Sequence, residues 1–207
     1  MYKEYMSIPK SFSTPVGRRA AATKQALTGA MLALPPLSLY IHIPWCVRKC
    51  PYCDFNSHEA RQELPEAAYV AALKADLASE LLQVQGRQIV SVFIGGGTPS
   101  LFSAAAIGDI LSAADKAIGF AADAEITLEA NPGTFEQDKF RGFRAAGVNR
   151  LSLGIQSFNN THLKRLGRIH DRASAITAAS SARAAGFDNF NLDLMHGLPD
   201  QTSAEAM

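Results

Sequence analysis

Cysteine, long apolar runs and an excess of charge of either sign are all scarce in this 207-residue sequence. The net charge is +1, so no broad basic field predicts a nucleic-acid partner. No apolar run approaches the roughly 20 residues of a membrane-spanning helix. A signal peptide is also disfavoured, because the mildly apolar run at residues 26–34 lacks a convincing cleavage site. The composition, 47% hydrophobic and 19% charged, is typical of a globular domain, for which we expect a cytoplasmic location with any membrane contact peripheral.

The sequence has only three cysteines, which stand together as Cys46, Cys50 and Cys53. An odd number excludes a complete disulfide framework. Three thiolates are also one fewer than the four that close a tetrahedral zinc site or fully ligate an iron–sulfur cube. The CxxxCxxC spacing therefore predicts a metal or cluster with one open coordination position, in a reducing compartment such as the cytoplasm.

A zinc site completed by His42 or His58 fits the same cysteine spacing. However, the cysteines directly follow the first predicted strand, and α/β proteins place their sites at the C-terminal ends of strands. Arg48 and Lys49 lie between the cysteines and would offset the negative charge of a cluster. These two features favour an iron–sulfur cluster over zinc.

Strand and helix signals alternate along the chain from Leu37 onward. The pattern predicts strands at residues 37–44, 89–95, 125–131, 150–157 and 189–195. It predicts helices at residues 64–83, 103–118, 135–146 and 170–185, three of them followed by a glycine stop. This alternation indicates right-handed βαβ crossovers, a parallel sheet and the α/β class. Residues 1–36 lack either periodicity and are predicted to be a flexible N-terminal extension, with Met31 as an alternative translation start.

Four of the predicted strands carry polar residues at alternate positions. The polar positions are 40 and 42, then 125, 127, 129 and 131, then 150, 152, 154 and 156, then 189, 191 and 193. A parallel sheet covered on both faces reads instead as a nearly continuous apolar sequence. The pattern therefore predicts a partial (β/α) barrel with helices outside and a polar inner face, and not a flat doubly wound sheet or an apolar-filled barrel.

Several groups at the predicted strand ends are candidates for ligand binding. Gly95, Gly96 and Gly97 precede Thr98; a tight turn alone could require them, but such a run also lets a ligand approach the backbone. No Gly-Lys-Ser/Thr follows, so this is not a P-loop. Polar side chains also recur at the ends of successive strands, and leaving each without a partner would cost about 1–3 kcal/mol. These side chains are Glu129, Gln156 and Asp193.

The five histidines do not cluster in the sequence. We expect His162 and His170 at the surface, and the sequence assigns no role to His58 or His196.

The motifs occur in the order LYIHIPWCVRKCPYCDF, IGGGTPS, LEANP, LSLGIQSFN, LKRLGR and NLDLMHGLPDQT. In this order they resemble radical S-adenosylmethionine (SAM) proteins related to oxygen-independent coproporphyrinogen III oxidase. The resemblance covers about residues 37–207 and is strongest to the HemW-type haem chaperones.

This resemblance implies that Cys46, Cys50 and Cys53 bind a [4Fe-4S] cluster whose fourth iron is chelated by SAM. One electron from a donor such as flavodoxin or ferredoxin would then cleave SAM to methionine and a 5′-deoxyadenosyl radical. Matching positions imply further contacts with SAM. They are Tyr40, Tyr52, Gly96, Gly97, Thr98, Glu129, Gln156, Arg168 and Asp193.

Position 55 distinguishes two branches that the resemblance includes. The oxidases have a further cysteine two residues after the third ligand, whereas this sequence has Phe55 after Asp54. The resemblance therefore implies a haem chaperone that binds haem and delivers it to haemoproteins. The alternatives are an oxidase that decarboxylates coproporphyrinogen and an inactive, truncated fragment, so enzymatic activity is left open.

Members of this family have six barrel strands and a separate C-terminal domain, while this sequence supplies five strands. Thr202 and Glu205 have capping-box spacing, so a helix is predicted to begin there. We expect residues 37–207 to form an incomplete core domain with an exposed sheet edge.

Overall fold

Alternating apolar residues along the strands produce one parallel sheet that is covered by helices on one face. The computed structural model describes residues 33–133 and 139–207, so most of the predicted N-terminal extension lies outside the described residues. In chain order the elements are β1 (Leu37–Ile43), β2 (Trp45–Cys46), β3 (His58–Glu59), α1 (Glu66–Val84), β4 (Ile89–Gly96), α2 (Ala104–Ala117), β5 (Phe120–Ala130), α3 (Phe140–Ala145), β6 (Arg150–Gln156), α4 (Asn160–Arg165), α5 (Arg172–Ala184), β7 (Asn189–Leu194) and α6 (Ser203–Ala206).

The sheet has five strands in the order β1-β4-β5-β6-β7, and every neighbouring pair is parallel. The order of the strands in this sheet is therefore the same as their order along the chain, as repeated βαβ units require. Strands β2 and β3 form a separate small ladder within the cysteine segment. The predicted α/β class and partial barrel of five parallel strands are confirmed.

The covered face of the sheet forms the hydrophobic core. Ile43, Ile94, Leu128, Leu151 and Leu153 are fully buried on this face. The helices contribute buried side chains to the same cluster. These are Val70 from α1, Ile107, Ile110, Leu111 and Ala114 from α2, Phe140 and Phe143 from α3, and Ala175, Ala178 and Ala182 from α5. Burying a large aliphatic or aromatic side chain contributes about 1.5–3 kcal/mol, so this face supplies most of the stability.

Side-chain caps fix where several helices begin. Helix α2 begins after Ser103, whose Oγ accepts a hydrogen bond from the Ala106 amide, and α5 begins after Asp171, which accepts from Ser174. Before α6, the Thr202 side chain accepts from the Glu205 amide and the Glu205 carboxylate accepts from the Thr202 amide. The predicted capping box is confirmed.

Other element boundaries differ from the prediction. Strand β5 begins at Phe120, five residues before the predicted start, and residues 135–138 of the predicted third connecting helix lie outside the described part. Helix α4 was not predicted, because its six residues are too few to show a helical period.

Two histidines contradict their predicted surface position. His162 on α4 is 4% exposed, and His170, just before α5, is 7% exposed. His162 is buried because α4 packs its inner side against the domain. The ring Nε2 of His170 donates a hydrogen bond to the Ile155 carbonyl oxygen, 3.0 Å away. Burial lowers the pKa of His170, and the nearby Arg168 charge lowers it further.

Within residues 33–133 and 139–207, none of the helices combines the length and apolar character needed to span a bilayer.

Candidate functional site

The cysteine segment, residues 45–60, contains the three cysteines together with β2 and β3. It follows β1 and is hydrogen-bonded at the carboxyl ends of the central strands. Its small β2–β3 ladder includes a hydrogen bond from the Ala60 amide to the Cys46 carbonyl oxygen, 2.8 Å long. Lys49 links two parts of the segment, because its Nζ donates hydrogen bonds to the carbonyl oxygens of Phe55 (3.2 Å) and Ser57 (3.1 Å). The segment is therefore an ordered loop that presents its thiols from fixed positions.

The three thiols differ in how far they are buried. Cys46 is buried, Cys50 and Cys53 are partly exposed, and all three are free. Burial raises the pKa of the Cys46 thiol, and hydrogen bonds with Thr98 and Ser57 oppose that rise. A bound metal must displace the thiol protons, so these donors next to sulfur favour the thiolate form that a cluster requires.

The two histidines that could complete a zinc site are not grouped with the cysteines around one position among the described residues. Across the described residues, no group of three or more His, Cys, Asp and Glu side chains is placed to hold one metal ion. Both ring nitrogens of His42 are occupied, Nδ1 by the Tyr40 hydroxyl (2.9 Å) and Nε2 by the Asn56 carbonyl oxygen (2.8 Å). His58 lies exposed on β3. The described side chains therefore do not supply the four ligands of a closed zinc site, whereas a cube binds each thiolate through a separate iron.

The run from Gly95 to Gly97 packs closely against the start of the cysteine segment. The Gly97 amide donates to the Ile43 carbonyl oxygen and the Thr98 amide donates to that of Trp45, each at 2.7 Å. A Cβ at Gly97 would lie only 2.5 Å from the Trp45 carbonyl oxygen, and Gly96 has a φ of +114°. Close packing against the segment that carries Cys46 is thus a sufficient reason for these glycines, beside the ligand approach that the sequence suggested.

Two carboxylates lie on the polar face of the sheet. Glu129 on β5 accepts a hydrogen bond from the Gly96 amide at 3.1 Å. Burial raises the pKa of Glu129, and the charge of Asp193 adds to the rise. Asp193 on β7 accepts hydrogen bonds from the Ser152 hydroxyl (2.8 Å) and from Nδ2 of the Asn191 side chain (2.5 Å). The two side chains provide acceptors that are already oriented by the protein.

Arg168, in the loop after α4, reaches back to the cysteine segment. Its Nη1 lies 3.5 Å from the Cys50 sulfur, and its Nη2 donates to the Gly154 carbonyl oxygen at 2.8 Å and to Asn131 Oδ1 at 2.5 Å. Its Nε is buried and has no partner among the described residues, so one donor is left for a bound acceptor. Tyr52 lies beside this pair, and burial raises its pKa.

A cavity of about 590 Å³ joins these groups, within the roughly 300–1,000 Å³ usual for small-molecule sites. Its walls include all three cysteines and every predicted SAM contact except Tyr40. Tyr40 is not part of this wall, but its ring stacks on that of Phe93, which is. Gln156 reaches the cavity at a left-handed backbone position, with a φ of +63°, beside a register shift between β6 and β7.

Further polar residues of the wall had not been singled out as contacts. Arg150 donates to Asn191 Oδ1 at 2.6 Å and to the Thr127 hydroxyl at 3.2 Å. Asn131 bridges Thr98 and Arg168. The alternation of polar residues contained all of these positions, but only the structure shows which of them meet.

Comparison with known proteins agrees with this architecture. The model of the radical SAM superfamily matches residues 40–207. The chain belongs to the radical SAM superfamily. Among curated proteins, this radical SAM chain is 56% identical to the haem chaperone HemW of Haemophilus influenzae over 181 residues, covering 86% of the chain and 47% of that protein. It is also 56% identical to HemW of Escherichia coli over 177 residues, with the same coverage.

The radical SAM fold is also found in a solved structure of similar sequence, coproporphyrinogen III oxidase (HemN) from Escherichia coli. The TM-score is 0.74 and the sequence identity 36%, over 82% of this chain and 39% of that one. The chain thus spans about half the length of the curated relatives that it matches.

Radical SAM membership implies a [4Fe-4S] cluster and SAM as cofactors, and the residues present fit both groups. Three free thiols line one cavity with two oriented carboxylates and a guanidinium that keeps an unpartnered N–H. Thiolates suit an iron–sulfur cluster, whereas zwitterionic SAM and its ribose need acceptors together with a cationic donor.

Proposed function

We propose that this chain contains the cluster and SAM site of a haem chaperone. The observation that carries the proposal is Phe55, which lines the cavity at the position where the oxidase resemblance implies a fourth cysteine. Its side chain is 59% exposed, so the rim of the site is aromatic at this point and offers no further thiol. The 56% identity to HemW, against 36% to HemN, supports the same choice.

In this proposal Cys46, Cys50 and Cys53 hold the cluster, and Lys49 keeps their loop closed. When bound, the cluster supplies the single electron that splits SAM. Glu129 and Asp193 present acceptors for the amino and hydroxyl groups of SAM, and Arg168 presents a donor for its carboxylate. The remaining predicted contacts shape the cavity around these groups. They are Tyr40, Tyr52, Gly96, Gly97, Thr98 and Gln156.

Haem is the proposed cargo and haemoproteins are its recipients, with a flavodoxin or ferredoxin as the electron donor. The similarity to HemW supports this assignment. The structural likeness to HemN favours one second candidate, an oxidase that converts coproporphyrinogen.

One incubation separates the two functions. The anaerobically reconstituted protein is mixed with coproporphyrinogen, SAM and a reductant, with HemN as the positive control, and in parallel it is titrated with haem. We expect stable haem binding and no porphyrin conversion. Formation of protoporphyrinogen over repeated turnovers would contradict the chaperone proposal and favour the oxidase.

A further inference from the structure

A hydrogen-bonded belt of Thr98, Asn131 and Arg168 crosses the carboxyl ends of β4, β5 and β6 and ends at the Cys50 thiol. Asn131, directly after β5, donates from Nδ2 to the Thr98 hydroxyl oxygen at 3.0 Å and accepts at Oδ1 from Arg168 at 2.5 Å. Arg168 continues to the Cys50 sulfur, 3.5 Å away. Asn131 is the central member of this belt, although no hydrogen bond joins it to a cysteine in the part of the chain described.

The chemistry of the neighbours fixes the orientation of the Asn131 amide. A guanidinium has only donors, so the amide oxygen must face Arg168 and the NH₂ group must face Thr98. Asn131 therefore holds Arg168, the donor that faces the Cys50 sulfur, through a bond with a fixed orientation.

The surrounding backbone leaves room for this belt. A Cβ at Gly154 would lie 3.0 Å from Asn131 Oδ1 and 3.1 Å from Gln156 Nε2, so even a methyl group would press on Asn131. Gly167, with a φ of +71°, places the Arg168 loop so close to the cysteine segment that a Cβ there would lie 2.7 Å from Pro51 Cδ. Two glycines on different elements thus permit the contact between Arg168 and Cys50.

We propose that Asn131 is a positioning residue, which holds Arg168 against Cys50 and so tunes the reduction potential of the cluster. The inference rests on the proposed cluster site. Hydrogen bonds and positive charge at thiolate sulfurs stabilise the reduced, more negative form of an iron–sulfur cluster. Loss of Asn131 frees Arg168 from its position beside Cys50, so the reduced form becomes less favourable.

The test compares the midpoint potential of reconstituted wild-type protein with that of Asn131→Ala, measured by a redox titration followed by electron paramagnetic resonance. We expect a more negative midpoint potential in the variant and about tenfold faster loss of iron to a chelator, the lower end of what outer-sphere changes cause. An unchanged potential in a folded, cluster-loaded variant would overturn the proposal.

Two comparisons separate positioning from general stability. Asn149→Ala removes an asparagine that bonds the backbone of Ile126 and Ala124, far along β5 from the cysteines, so it should lower the melting temperature without changing the potential. Combining Asn131→Ala with Arg168→Gln should change the potential little more than Arg168→Gln alone, because both act through one contact. Fully additive shifts would contradict this coupling.

Gly154→Ala keeps the test decisive if Asn131→Ala does not fold. Its methyl group presses on Asn131, and also on Gln156, while leaving Asn131 and Arg168 present, so the potential should shift in the same direction. Failure of the wild-type protein to form any cluster would instead refute the proposed function itself. A SAM-responsive wild-type cluster whose potential is insensitive to Asn131→Ala and Gly154→Ala would refute only the role of Asn131.

Discussion

The two faces of the sheet differ in what their side chains do, although they belong to the same strands. On the covered face, Leu128, Leu151 and Leu153 are closed off from water by helices. On the opposite face, Glu129 and Ser152 alternate with them along the same strands and line the cavity beside the cysteine segment. Successive side chains of a strand point to opposite faces, so a residue that stabilises the core can be the direct neighbour of one that lines the cavity. Substitutions at neighbouring positions should therefore have unlike effects.

The largest expected effect is at the cysteine segment. Cys50→Ser removes one of three thiolates and also the sulfur that Arg168 contacts, so we expect no stable [4Fe-4S] cluster after reconstitution. The fold should persist, since Cys50 is only partly buried and lies outside the apolar core. Iron and sulfide analysis together with circular dichroism tests both statements. A variant that loses secondary structure together with the cluster would show that the two faces are not separate.

On the covered face, Leu128→Ala should lower stability strongly. Its side chain is 0% exposed between the helices and the sheet, so truncation removes apolar contacts and leaves a cavity. We expect a loss of about 2–5 kcal/mol in the free energy of unfolding, measured by denaturant titration. The fraction that remains folded should bind SAM with wild-type affinity. A large change in that affinity without loss of stability would contradict the division between the faces.

The neighbouring variant Glu129→Gln should show the reverse. It removes the charge that faces the cavity, so we expect SAM to bind more weakly by about 1–3 kcal/mol, roughly 5–150-fold, as measured by titration of reconstituted protein. Because burial raises the pKa of Glu129, its contribution to stability is present below the ordinary glutamate pKa and declines as the pH rises through the folded value. Above that pH range, the variant without cofactors should be at least as stable as the wild type.

The smallest expected effect is a pH dependence at His170. Burial lowers the pKa of this histidine, so its neutral form is favoured in the folded protein. Its contribution to stability is therefore complete above the ordinary value of 6.5 and is lost as the pH falls below it toward the folded value. His170→Gln should reduce the difference in melting temperature between about pH 7.5 and about pH 5.5. An equal difference in the two proteins would show that another group is responsible.

Much of the fold could be predicted because its determinants are local. Strand signals that alternate with helix signals identified the five strands, and Thr202 with Glu205 identified the start of α6. The burial of His162 and His170 could not be predicted, because it depends on how α4 and the end of β6 pack. The cysteines and most cavity residues were recognisable as types in a spacing. The contact between Asn131 and Arg168 was not, since these residues are 37 positions apart and meet only when β5 and the loop after α4 come together.

The central claim is that three thiolates hold a cluster that keeps one iron open to SAM. Electron paramagnetic resonance of the reduced, reconstituted protein, recorded with and without SAM, tests this most directly. The account predicts a [4Fe-4S] signal that shifts when SAM is added and that is absent in Cys50→Ser. Tightly bound zinc with no cluster, or a cluster signal that SAM leaves unchanged, would contradict it.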